Sequence, residues 1–248
     1  MSVALASTWN PHGELPRLRR LLPFLQQIYP TMVVSLPAEA GTAEVSFLQI
    51  EPWAHLLIDS DWSSGVYAAV TESLAVDYNH LHYVDMDRLL RWAETRPREL
   101  EQTVSMLTRT DCLIIGRTEQ ANHTHPRCMQ ETEGLANLVA SHRLGLAADV
   151  CAGSRGFSRR AVECLRQHSR PSRLKDAEWP LLLQRAGFRV DYLAVDGLDW
   201  ETADRYRSRA ADAEAQRQAA VAYDEEVANW QARVQVAREI IENCLSVP

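Results

Sequence analysis

Two aspartates flank a single methionine in Y-V-D-M-D-R (83–88), directly after the apolar run H-L-H-Y-V (80–84). Carboxylates at that spacing can hold a hard divalent cation through one direct and one water-mediated contact, leaving positions open for the oxygens of a diphosphate. Acidic pairs at strand ends also serve as solvated loop residues or helix caps, so Asp85 and Asp87 carry both readings. His123, His125 and Cys128 form H-x-H with a lone cysteine. A tetrahedral zinc site needs a second ligand pair, so this stretch reads as a polar loop.

The elements that position these residues follow from the order of apolar runs. Strands are expected at 3–8 (VALAST), 31–36 (TMVVSL), 45–50 (VSFLQI), 55–59 (HLLID), 80–84, 111–116 (DCLIIG) and 188–195 (FRVDYLAV). Between them, helical spacing predicts helices from about Glu14 to Tyr29, from Gly65 to Ala75, near 97–108, near 130–143, up to about His168, and near 177–186. That alternation favours an α/β sheet covered by helices. Thr8 to Asn10, Asp59 to Asp61 and Asp85 to Asp87 then fall at the carboxyl edge of the sheet, where open α/β folds bind ligands. Beyond Trp200 the composition turns to Ala, Glu, Arg and Gln, with neither Gly nor Pro until Pro248. This predicts one long helix or a pair, with Ala220, Tyr223, Val227, Trp230, Val234, Ala237, Ile241 and Cys244 as a packed seam. Residues 1–199 are therefore expected as one domain and 200–248 as a helical extension, docked on that domain or pairing two subunits in a homodimer.

Composition narrows the function classes. The chain has 248 residues, 46% of them hydrophobic, enough for one sizeable α/β domain. A formal charge of −7 gives no general attraction to nucleic acid or anionic membrane. There is no apolar run long enough to span a bilayer, and the first residues lack the pattern of a signal peptide, so a cytosolic location is expected. Five cysteines without a C-x-x-C pair read as reduced thiols.

Four stretches, in chain order, resemble the family-2-like glycosyltransferases of the GT-A fold. A-L-A-S-T-W-N-P-H-G-E-L-P-R-L (4–18) looks like the family's opening strand, polar-aromatic-Asn turn and first helix. The stretch from Gly65 to Asp87 is similar to its glycine-led helix running into the strand that bears D-x-D. A-G-S-R-G-F-S-R-R-A-V (152–162) looks like its segment of small residues and arginines, and K-D-A-E-W-P-L-L-L-Q-R-A-G-F-R-V (175–190) resembles its Asp-led helix, turn and strand. The resemblance implies a GT-A fold, with a central mixed sheet flanked by helices. It also implies a nucleotide-diphosphate sugar donor, UDP- or GDP-linked, a small-molecule or glycan acceptor, and a divalent cation, Mn²⁺ or Mg²⁺, on Asp85 and Asp87. By the same resemblance Thr8, Trp9 and Asn10 form the nucleoside-contacting turn, and Gly65, Asp85, Gly153, Ser154, Arg155 and Arg159 lie along the nucleotide sugar. Asp176 is the implied general base of an inverting transfer, with Glu178 as the alternative carboxylate.

The chain departs from the family at several points. Lys175 stands where a Glu usually precedes the catalytic Asp, no Q-x-x-R-W motif follows, and no histidine lies downstream of Phe188 to ligate the metal. Asp196 or Asp199 can substitute for that histidine. Other readings stay open: Trp9 as a core aromatic, Arg155 and Arg159 as helix-capping or Glu163-pairing side chains, and the whole chain as a non-catalytic nucleotide-sugar binder. I-D-S-D-W-S (58–63) also has the D-x-D-x-S order of a haloacid-dehalogenase-like phosphatase with Asp59 as nucleophile.

Overall fold

The computed structural model describes residues 2–59, 62–171 and 175–247. Asp61, part of the expected edge cluster Asp59 to Asp61, lies outside them. The first part runs β1 (Val3–Thr8), α1 (Leu15–Ile28), β2 (Met32–Pro37), α2 (Thr42–Ile50), β3 (Ala54–Asp59), α3 (Trp62–Glu72), β4 (His80–Val84), α4 (Met86–Thr95) and α5 (Pro97–Met106). Then come β5 (Cys112–Arg117), the single turn α6 (Glu119–Asn122), α7 (Arg127–Leu144), β6 (Ser154–Ser158), α8 (Arg159–His168), α9 (Glu178–Arg185) and β7 (Val190–Val195). Two further helices follow, α10 (Ala213–Glu225) and α11 (Val227–Ser246).

The fold is the expected α/β class, a mixed sheet of seven strands ordered β3-β2-β1-β4-β6-β5-β7. β3, β2, β1 and β4 run parallel, β6 is antiparallel to both neighbours, and β7 is parallel to β5. Alternate residues of β1 feed opposite cores. Val3 and Leu5 join α1, α4 and α5 on one face, while Ala4 and Ala6 join α3, α8 and α9 on the other. Burial on both faces explains why these strands read as continuous apolar runs.

Three local expectations need correction. The run 45–50 is helical, as part of α2, rather than a strand. Six apolar-rich residues satisfy either period, and here Val45 and Leu48, one turn apart, meet the core while Ile50 is left 76% exposed. β6 went unread because S-R-G-F-S offers one bulky apolar residue, Phe157, which meets Trp179 edge-on. The tail is a pair of helices, as one of the two expectations had it, but its seam does not run through. The chain is extended at Glu226 (φ −87°, ψ 108°), which resets the register of α11. Ala237, Ile240, Cys244 and Val247 become the docked stripe against α7 and α9, while Val227 and Val234 stay 79% and 56% exposed.

One buried histidine sets an acid limit on this fold. His82 on β4 is fully buried, its ring nitrogens bonded to the Tyr29 hydroxyl (2.6 Å) and the Ser154 hydroxyl (3.0 Å). Burial lowers its pKa to about 3. The unfolded chain binds this proton near pH 6.5, so the stability His82 contributes is complete above that value. It is lost as pH falls toward 3, at up to about 1.4 kcal/mol per pH unit. His82→Gln should flatten the drop in urea midpoint between pH 7 and pH 4 relative to the unsubstituted protein; parallel profiles would contradict this.

Candidate functional site

The carboxyl ends of β1 and β4, the turn before β6 and the approach to α9 open on one cavity of about 370 Å³. Asp85 occupies the N-cap position of α4 but makes no side-chain cap bond. Its Oδ1 instead accepts from the Tyr83 hydroxyl (2.7 Å) and the Thr8 hydroxyl (3.3 Å), and its Oδ2 lies 3.1 Å from Arg88 Nε. Gly153 makes room for this arrangement. Its backbone is left-handed (φ +66°), and a Cβ there would stand 2.6 Å from Asp85 Oδ2.

Asp87 lies two residues along, its Oδ1 accepting from the Arg88 backbone N–H (2.9 Å). Glu201 also reaches this group, with Oε1 3.7 Å from Arg88 Nε. Its Oε2 is buried with no hydrogen-bond partner among the described residues. Two carboxylates, Asp85 and Glu201, thus share one guanidinium, and the charge of Asp87 is felt by the same group. Burial, then the charges of Glu201 and Asp85, push Asp87 up to about 8. Asp85 is also raised, by burial, with Arg88 and Tyr83 opposing. Hard oxygen donors with excess negative charge suit a divalent cation. Among the described residues no three His, Cys, Asp or Glu side chains already converge as a cage.

Asp176 lines the same cavity, its Oδ1 and backbone carbonyl accepting from Arg155 Nη2 (3.1 and 2.9 Å). Glu178 is turned elsewhere. It accepts from the Ser169 hydroxyl (2.9 Å) and from Lys175 Nζ, and it is not on the cavity wall.

Of the other residues singled out by sequence, Thr8, Trp9, Asn10, Gly153 and Arg155 lie on the cavity. Trp9 is only 2% exposed and belongs to the core on the α1 side. Gly65 is packed beneath the edge, where a Cβ would meet Ser35 Oγ at 3.2 Å and Thr8 Cγ2 at 3.5 Å, and Ser154 is spent on His82. Arg159 points away from the cavity. It donates to the carbonyls of Leu74 and Val76 and covers the Tyr78 ring. Asp59 pairs with the Ser64 hydroxyl (2.6 Å) outside the cavity. His125 is buried, with Nδ1 on the Ala121 carbonyl. Asp196 is taken by Thr118, and Asp199 by Arg91 and Gln216.

Sequence reasoning missed Arg88, Glu201 and the wall formed by Arg233, Val236 and Ile240 of α11. Arg88 was visible as a cation three residues after Asp85. Glu201 and α11 carried no local signal, because tertiary contacts alone bring them in. Glu201 rides on a strap, residues 199–205, fixed by buried ion pairs. Arg91 bonds Asp199 (2.8 and 2.9 Å) and Asp204 (3.0 Å), and Arg17 bonds Asp204 (3.2 Å). Among the described residues no helix is long and apolar enough to cross a membrane.

No protein-family model matches the sequence, and no curated protein does. Among solved structures the chain is similar to Rv0371c from Mycobacterium tuberculosis H37Rv, at 17% identity over 83% of this chain and 94% of that one, with a TM-score of 0.46. It is similar to a nucleotide-diphospho-sugar transferase from Desulfovibrio desulfuricans G20, at 11% identity over 98% and 99% of the two chains, with a TM-score of 0.41. A third similar structure is the mannosyltransferase PcManGT from Pyrobaculum calidifontis in complex with GDP-Man and Mn²⁺, at 12% identity over 99% of this chain and 75% of that one, with a TM-score of 0.41.

Proposed function

We propose that the protein is a glycosyltransferase that moves a sugar from a UDP- or GDP-linked donor to an acceptor hydroxyl with inversion. One observation carries the reading. Asp85, Asp87 and Glu201 gather around a single guanidinium in the cavity that Asp176 lines, more negative charge than Arg88 alone offsets. Bound to Asp85 and Asp87, Mn²⁺ or Mg²⁺ would supply Lewis-acid stabilisation of the departing nucleoside diphosphate.

The chain's own groups do the rest. The turn at Thr8 to Asn10 receives the nucleoside, with Trp9 as its apolar backing and Asn10 as its exposed polar contact. Arg155 orients Asp176, which accepts the acceptor hydroxyl proton as that oxygen bonds to the anomeric carbon. The bond from that carbon to the phosphate oxygen breaks on the opposite face, and the nucleoside diphosphate leaves with the electron pair. Glu178 is left to hold Lys175.

A thermal-shift panel of UDP-, GDP-, TDP- and CMP-sugars, each with and without Mn²⁺ or Mg²⁺, tests the reading. The true donor at 100 times its dissociation constant should add about 2.7 kcal/mol of stability in a metal-dependent way. Asp85→Asn and Asp87→Asn should each abolish the metal-dependent part. Asp87→Asn should also raise the melting temperature of the metal-free protein, since it removes one of three mutually repelling carboxylates. Unchanged metal dependence in both variants would refute the assignment.

A further inference from the structure

Lys175 is the single lysine among the 26 basic side chains of this protein; all the others are arginine. It is not a surface charge. It is 3% exposed and lies on the cavity wall next to Asp176. A run of buried bonds holds it from behind: Trp179 Nε1 donates to Ser169 Oγ (3.0 Å), Ser169 Oγ to Glu178 Oε1 (2.9 Å), and Lys175 Nζ to Glu178 Oε2. Glu178 is the one acceptor that Nζ meets among the described residues, so two of its three N–H groups remain to be given.

The arginines on the same wall each have a partner, although Arg17 Nη1, Arg88 Nε and Arg155 Nε keep an N–H without a hydrogen-bond partner among the described residues. Arg17 and Arg88 are held by Asp204 and Asp85, Arg155 by Asp176, Arg205 by His12, and Arg233 by Tyr223. A guanidinium is a rigid planar fork, whereas an ammonium is a compact point charge with rotatable donors and can meet one anionic oxygen from any side. We propose that Lys175 is a phosphate-contacting residue, clamped by Glu178 so that its free N–H groups meet a diphosphate oxygen of the bound nucleotide. This rests on the donor reading above and extends it to a residue that reading leaves unassigned.

A sole lysine can be followed without chemical modification. In protein grown with [¹³C]lysine, one side-chain Cε signal reports Lys175. UDP or GDP with diamagnetic Mg²⁺ should shift it, and uridine or guanosine, which lack phosphate, should leave it in place under the same Mg²⁺. By calorimetry, Lys175→Met should weaken nucleoside-diphosphate binding by about 10–100-fold and leave nucleoside binding unchanged. Glu178→Gln, which keeps the ammonium, should cost less. If Lys175 were merely half of a packing ion pair, Lys175→Met and Glu178→Gln would lower the melting temperature alike and spare the diphosphate affinity, which would overturn the proposal. A diphosphate that binds tightly without moving the Cε signal would overturn it as well, with the donor reading intact. No binding of any nucleoside diphosphate would defeat both.

Discussion

Asp176→Asn should lower the rate of sugar transfer by about 10²–10⁴-fold, the usual share of a general base, while the nucleotide sugar binds as before. A carboxamide has nearly the carboxylate's shape, and its oxygen can still accept from Arg155 Nη2, so the cavity wall keeps its form. What it loses is the ability to take a proton. Glu178→Gln should alter transfer far less, because Glu178 bonds Ser169 and Lys175 and does not line the cavity. Single-turnover rates for both variants, with donor affinity measured separately, check this. The product should carry inverted anomeric configuration. Full activity in Asp176→Asn, or a retained configuration, would remove Asp176 from the role.

The second large effect is on stability. Arg91→Leu should destabilise the protein by about 3–5 kcal/mol, because it strips the partner from two buried carboxylates at once. Arg91 is 3% exposed, and Asp199 and Asp204 are 6% and 2% exposed. Arg17 and Arg96 stay beside them but cannot replace the lost bonds, since Arg96 lies 3.6 Å from Asp199 and Arg17 is shared with Glu94. Urea unfolding measures the loss, and adding Asp199→Asn and Asp204→Asn to Arg91→Leu should recover part of it. A triple variant no more stable than Arg91→Leu would mean that unpaired charge is not the cause.

The sequence was legible where local pattern and tertiary role coincide. β1, β2, β4 and β5 are buried on both faces, so their apolar runs stand out, and Asp85 could be placed at the sheet edge because it ends such a run. β6 pairs through its backbone with two neighbours, and pairing of that kind leaves no mark on side chains as small as those of Ser154 and Gly156. In the tail the 3-4 spacing correctly indicated helix, yet it could not register an extended residue at Glu226 or say which stripe docks. The D-M-D motif was the legible part of the carboxylate cluster. The carboxylate that joins it, Glu201, is delivered by a strap whose anchor on Arg91 spans 108 positions of chain, a distance no motif encodes.

That strap bears on when the site can first exist. Its ties to the N-terminal part join Arg17 to Asp204 across 187 positions and His12 to Arg205 across 193. Each is a loop closed late and against a large entropy. During synthesis β1 and β4 can pair long before Glu201, Arg205 or α11 has been made. A nascent chain therefore carries the Asp85–Asp87 cluster as an unfinished edge, without the facing wall that turns it into a cavity. Substrate can stabilise only chains that have passed that point, so ligand added during translation should rescue completed but slowly closing molecules and do nothing for shorter ones.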